Sequence, residues 1–201
     1  EVTEVTLNED DSMDGFTNDE PVTFGYYRRQ STNYFGGELD QARIYNRPIS
    51  VSEVKALYKG TSDPRSGLVG EWTFDEGSGT VAHDTSKWTK GVRQGKALEF
   101  DGNDDYIETP IGSNINTAKD DFSAFSWVKL KRNSSYMLLI DQGNSADNGR
   151  DILAFDDAEG GLFTYAGKGY SPTSPLSTGK WYHVGVSYNI QGNIAYRTLY
   201  R

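Results

Sequence analysis

Glu38 and Asp40 are separated by a single residue, so an extended strand presents both carboxylates on one face. Paired carboxylates are the equipment of glycoside hydrolysis, where one serves as nucleophile or base and an acid protonates the leaving oxygen. A second acidic group, Asp101-Gly102-Asn103-Asp104-Asp105-Tyr106, has the Asp, Asn and Gly of a tight turn, and turn chemistry alone explains much of it. The same oxygens suit a hard cation such as Ca²⁺, which takes roughly six to eight oxygen ligands, or the hydroxyls of a sugar. Asp141-Gln142-Gly143-Asn144 and Asp147-Asn148-Gly149 follow the same pattern. A sugar also needs aromatic faces for its C–H surfaces, and Trp88, Tyr165 and Tyr170, with Tyr26 and Tyr34, lie in or beside loops. Each of those rings also suits the core or a strand end.

Other chemistries lack their residues. There is no Gly-rich phosphate loop, no Cys/His cluster and no nucleophile motif. His183 stands without a second histidine nearby and reads as a strand-surface residue rather than a metal ligand. The lone sequon Asn133-Ser134-Ser135 carries no functional weight.

The elements that position these groups are read from composition and pattern. Of 201 residues only 35% are hydrophobic, but 4 Trp, 13 Tyr and 9 Phe supply buried area, while 22 Gly and 6 Pro supply turns, which is a β-rich balance. One all-β sandwich fits the length. A net charge of -9 opposes nucleic acid or an anionic membrane as main partner, since both need a positive field. Arg28, Arg29, Arg43 and Arg47 form a local basic group, expected to pair with surrounding carboxylates. The absence of cysteine excludes a disulfide framework. No run approaches the ~20 apolar residues of a membrane span, and the start does not read as a signal peptide, so a soluble mature fragment with no membrane insertion is expected.

Strands are expected at 1–7, 22–27, 37–45, 69–74, 97–100, 106–108, 122–130, 136–141, 152–155, 162–165, 181–188 and 194–201, separated by Gly, Asn, Asp and Ser. Trp181, His183, Gly185 and Ser187 share one face of their strand, and Tyr182, Val184, Val186 and Tyr188 the other. Leu39 and Ile44 break the alternation in theirs. Ser50-Val51-Ser52-Glu53 is a capping box, predicting a short helix to about Tyr58 with Val54 and Leu57 on one side. The stretch 60–66, with Gly, Pro, Ser and Asp, reads as a solvated linker.

Gly67-Leu68-Val69-Gly70-Glu71-Trp72-Thr73-Phe74-Asp75-Glu76 and the run from Gly95 to Glu108 resemble the opening strands of laminin-G-like jelly rolls, in the concanavalin A-like lectin/glucanase superfamily. Trp127-Val128-Lys129-Leu130 and the segment from Gly179 to Tyr188 resemble that family's middle strands, and Tyr34 to Ser50 with the helix after it resembles the closing segment. The order is therefore circularly rotated. Residues 1–59 correspond to the family's C-terminal part, 60–66 to a linker and 67–201 to its N-terminal part, all within one sandwich. The aromatic and β-branched ends 1–7 and 194–201 would then meet as one hairpin lacking only its turn.

The resemblance implies an all-β jelly-roll sandwich of two antiparallel sheets with one short helix. It also implies a structural Ca²⁺ between the opening strand, the loop after it and the closing strand, which on matching positions draws on Asp40, Asp75 and Asp84; the alternative is that Asp40 pairs with Arg43 or Arg28 while Asp75 and Asp84 cap turns. Glycosidases of this superfamily carry a further Glu shortly after the Glu-x-Asp pair, and here Gln41, Ala42, Arg43 and Ile44 follow instead, so no catalysis is expected. The resemblance weakens from Asp84 to Gly95. The expected role is a non-catalytic extracellular or cell-surface module for carbohydrate binding or adhesion, with a glycan or cell-surface ligand and Trp88, Tyr165 and Tyr170 as candidate contacts. The alternative is a structural spacer or assembly unit, self-associating by exchange of its terminal strands.

Overall fold

The computed structural model describes residues 4–9, 20–27, 33–76, 81–86, 95–111, 120–132, 136–143, 150–155, 161–165, 175–191 and 194–201. Two antiparallel sheets face each other. The larger runs β1 (Glu4–Glu9), β12 (Ile194–Tyr200), β11 (Trp181–Gln191), β7 (Phe122–Leu130), β3 (Gly36–Tyr45) and β4 (Leu68–Trp72), with β5 (Leu98–Asp101) on the first half of β3. The smaller runs β10 (Leu162–Tyr165), β9 (Arg150–Phe155), β8 (Met137–Gln142), β2 (Thr23–Phe24) and β6 (Ile107–Glu108).

Between the sheets lies an apolar core in which Leu39, Ile44, Phe122, Val128, Val184, Val186 and Leu199 of the larger sheet meet Phe24, Leu139, Ile152 and Phe155 of the smaller. Tyr188 stacks on Phe122 at 4.4 Å, and Trp72 meets Phe24 edge-on at 5.1 Å. Area removed from water at roughly 25 cal/mol per Å² makes such rings the main stabilising residues. Alternation along β11 is the expected one, with Val184, Val186 and Tyr188 facing inward. The strand expected at 22–27 is cut to two residues, because Gly25 turns the backbone to φ 83°.

The broken alternation of β3 has a local cause. Asp40 opposes Trp127 but Arg43 opposes Phe125, so β3 carries one extra residue, and Gln41 sits at φ 52°. This bulge reverses which parity faces the core. Leu39 points in before it and Ala42 and Ile44 after it, leaving Glu38, Asp40, Arg43 and Tyr45 outward.

Helix α1 (Val51–Lys59) covers part of that outer face. Ser50 accepts from the Glu53 amide at 3.3 Å and Glu53 accepts from the Ser50 amide at 2.8 Å, completing the capping box, and Gly60 closes the helix at φ 64°. Val54 and Leu57 pack with Ile49 against Tyr45, Phe125 and Tyr200. Gly185 permits this, since a Cβ there would stand 2.1 Å from Phe125. No helix among the described residues is long and apolar enough to cross a membrane.

β1 and β12, at opposite ends of the chain, are antiparallel neighbours from Glu4 opposite Tyr200 to Glu9 opposite Ala195. The stretch 60–66 is largely exposed, as expected, but Arg65 ties it down through Glu71 at 2.7 Å and the Ser86 carbonyl at 2.7 Å.

Candidate functional site

The outward groups of the larger sheet stand in rows set by strand register. Glu99, Glu38, Lys129 and Trp181 form one row across β5, β3, β7 and β11, and Asp40, Trp127 and His183 form the next. Lys129 donates to Glu38 at 2.7 Å and lies 5.9 Å from the centre of the Trp181 ring; Lys131 pairs with Glu99. Between Trp181 on one side and residues 95–97 on the other is a cleft of about 340 Å³ with Glu38, Asp40 and Glu99 in its lining. Tyr58, from the last turn of α1, stacks on Trp127 at 5.4 Å and closes over His183.

His183 is therefore not the strand-surface residue the pattern suggested. It is 6% exposed, packed between Phe125, Trp127 and Tyr58, and burial, with Arg43 adding repulsion, brings its pKa down to about 4. Neutral imidazole is the form this pocket holds.

A second surface lies at the end of the sandwich. Tyr26 stacks on Tyr34 at 5.1 Å and meets Tyr106 at 5.0 Å, and Tyr106 is 52% exposed. Beside the rings, Asp101, Asp104 and Asp105 bring one carboxylate oxygen each within 4.8 Å of one another. The turn is internally braced: Asp105 accepts from the Asp101 amide at 2.8 Å, and Asp101 accepts from the Asn103 amide at 2.7 Å and side chain at 3.0 Å. Those donors, the Asn103 amide first, hold the Asp101 carboxyl below its usual range. Gly102, at φ 85°, makes the turn possible, and Arg132 clamps it to the tyrosine segment by donating to the Gly102 carbonyl at 2.9 Å and the Tyr34 carbonyl at 3.1 Å. Partial desolvation among the rings, then Tyr26 and Asp104, raise the Tyr34 phenol.

The residues expected to hold calcium are placed as follows. Asp40 lines the cleft, Asp75 accepts from the Lys96 amide at 3.3 Å, and Asp84 accepts from the Glu71 and Ser86 amides at 3.0 and 2.9 Å. Among the described residues the acids that gather as a metal-capable group are Asp101, Asp104 and Asp105, not these three. Arg43, considered as a partner for Asp40, turns to Glu71 at 2.7 Å. Arg47 pairs with Glu53, while Arg28 and Arg29 lie outside the described residues. Trp88 and Tyr170 also lie outside them; Tyr165 ends β10, its side chain outside the description. Asp141, grouped with the acidic turns and also placed at the end of the strand expected at 136–141, is buried in β8, and residues 144–149 are not among those described. Tyr106, Trp127, Trp181 and Tyr58 are the rings that pattern alone left unassigned. Strand parity places Trp181 outward, but only register brings it beside Glu38.

A laminin-G-type family model described as the concanavalin A-like lectin/glucanases superfamily matches residues 101–201, from the acidic turn to the end of β12. The chain belongs to the concanavalin A-like lectin/glucanases superfamily. No curated protein and no solved structure matches it significantly. A hard cation needs oxygen donors, and the exposed Asp101, Asp104 and Asp105 group fits that requirement in kind, with three carboxylates of acceptor-only chemistry. These residues can hold a metal ion.

Proposed function

We propose that this domain is a non-catalytic, extracellular or cell-surface carbohydrate-binding or adhesion module, with its glycan site at the Tyr106, Tyr26 and Tyr34 platform. The observation that carries the reading is the juxtaposition of a half-exposed aromatic face with a braced turn of three carboxylates. A sugar ring stacks its C–H surface on Tyr106, and its hydroxyls reach the carboxylates or a Ca²⁺ bound to them. Held between Asp101, Asp104 and Asp105, the ion would supply positive charge that polarises sugar hydroxyls. A glycan array probed with and without chelator tests it. Binding lost both in chelator and in Tyr106→Ala supports the site; no glycan retained at any concentration removes the function.

A rotated order of the superfamily's strands belongs to the same proposal. It is supported by the ladder between β1 and β12 and by the likeness of residues 34–59 to a closing segment, although the family match itself begins at residue 101. Joining residues 1 and 201 through an Asn-Gly turn while opening the chain within 61–66 should leave a folded protein. An unfolded product would count against rotation.

One observation favours a second reading, a structural spacer or assembly unit. Among the described residues β1 is an edge strand joined to the sheet by β12 alone, so the same ladder can form between copies. A mass that rises with concentration in light scattering supports exchange, and a constant monomer excludes it.

A further inference from the structure

We infer that Tyr26 and Tyr106 are a site of oxidative cross-linking, at which a one-electron oxidant such as a peroxidase with hydrogen peroxide joins the two rings by a carbon–carbon bond. Their ring centres are 5.0 Å apart and tilted by 34°, closer than any other tyrosine pair among the described residues. Tyr34 stacks on Tyr26 at 5.1 Å. After desolvation, the Tyr26 and Tyr106 phenols both raise that of Tyr34 by charge, which fits hydroxyl ends gathered on one side of the stack. Gathered ends bring the ortho carbons, which flank each hydroxyl, toward one another.

Each phenol gives up one electron and its hydroxyl proton, leaving a phenoxyl radical whose spin is shared with the ortho carbons. Two ortho carbons pair their spins in the new bond, and the hydrogen on each moves to its own phenol oxygen as the ring regains aromaticity. The protein loses two hydrogens in all, and one hydrogen peroxide accepts them to become two waters. The oxidant comes from outside the protein. What the fold contributes is proximity, since rings already held in contact need no chance encounter.

Exposure and bracing choose the pair. Tyr106 is 52% exposed, so an oxidant in solvent reaches it, and Tyr26 is the ring against it. Tyr27 and Tyr136 stand farther apart, at 5.8 Å, and Tyr27 is buried. Tyr26 and Tyr106 flank the end of the ladder between β2 and β6, where Phe24 opposes Ile107. Gly25 approaches Phe100 so closely that a Cβ would stand 2.7 Å from that ring, which fixes the Tyr26 segment against β5. β6 is a strand of two residues whose partner among the described residues is β2. A bond at this end ties β6 down and closes a covalent loop from residue 26 to residue 106 through β3, α1, β4 and β5.

The test is exposure of the full chain, without glycan or added metal, to a haem peroxidase and hydrogen peroxide. The monomer should lose two hydrogens in mass and gain dityrosine fluorescence, in a yield that does not change with protein concentration. Trypsin should then release residues 1–28 joined to 97–119, the second peptide holding Tyr106 as its sole tyrosine. Tyr26→Phe and Tyr106→Phe, which keep the rings, should each abolish that product, whereas Tyr27→Phe and Tyr34→Phe should keep it. The bridged protein should melt roughly 10 °C higher, because a cross-link over so long a loop removes entropy from the unfolded chain. The inference is overturned if the monomer keeps its mass, if dityrosine joins only separate copies, or if the joined peptides survive Tyr26→Phe or Tyr106→Phe. No sugar or metal enters any arm, so either result leaves the glycan reading at Tyr106 to its own test.

Discussion

Arg43 and Glu71 face each other across β3 and β4 with Nη2 and Oε1 2.7 Å apart, and their side chains are only 3% and 7% exposed. The other Glu71 oxygen accepts from Arg65 at 2.7 Å, so one carboxylate serves a buried cation and the connection that follows α1. Removing a single partner of a buried pair leaves the other charge uncompensated, whereas an exposed pair contributes little. We predict that Glu71→Gln lowers unfolding free energy in urea by about 3–5 kcal/mol, and that Arg65→Ala costs about 1 kcal/mol or less. Equal losses for the two would refute this division.

His183 gives stability a pH dependence of known sign. Its pKa is about 4 in the folded chain and near 6.5 when unfolded, so between those values only the unfolded chain takes up the proton. Stability should be unaffected by this group above pH 6.5 and should fall from there to pH 4, by about 3 kcal/mol at 1.36 kcal/mol per unit. The measurement is the stability difference between the protein and its His183→Phe variant across that range. A difference constant with pH would show that the imidazole titrates normally.

Helix α1 should be sensitive at its first turn. Ser50→Ala removes the cap and is expected to cost about 1 kcal/mol. Glu53, held at a pKa of about 2 chiefly by its hydrogen bonds from Arg47, contributes fully above pH 4.5 and less as pH falls toward 2. Thermal melts of Ser50→Ala and Glu53→Gln check both, and the deficit of Glu53→Gln should shrink on acidification through that window.

Deleting residues 1–9 should expose the edge of β12 and promote association between copies. Analytical ultracentrifugation should detect the change, and a peptide of residues 1–9 should reverse it. A truncated chain that stays monomeric at high concentration would mean that β12 is protected by something other than β1.

The features that were legible in the sequence are those with local signatures. Ser50 and Glu53 announced the helix, and the alternation from Trp181 to Tyr188 sorted inner from outer faces correctly. The bulge at Gln41 was not legible, because glutamine carries no preference for the left-handed region and the only trace was the mismatch of Leu39 and Ile44. His183 misled for another reason: its strand pattern was right, but its cover, Tyr58, comes from a helix more than a hundred residues away in sequence. The candidate sites divide in the same way. The acidic turn at Asp101 was visible as a turn, whereas the meeting of Tyr26, Tyr34 and Tyr106 depends on three separate segments.

The antiparallel ladder of β1 and β12 also sets how the molecule answers to mechanical load. Glu4 and Tyr200 sit opposite each other at one end of the ladder. Tension applied through those two residues acts across the strands, along the direction of the inter-strand hydrogen bonds. The load falls on one pair at a time, from Glu4 and Tyr200 toward Glu9 and Ala195, and the strands peel apart instead of sliding past one another. A joint loaded this way breaks its hydrogen bonds one after another, whereas one loaded along its strands must break them together.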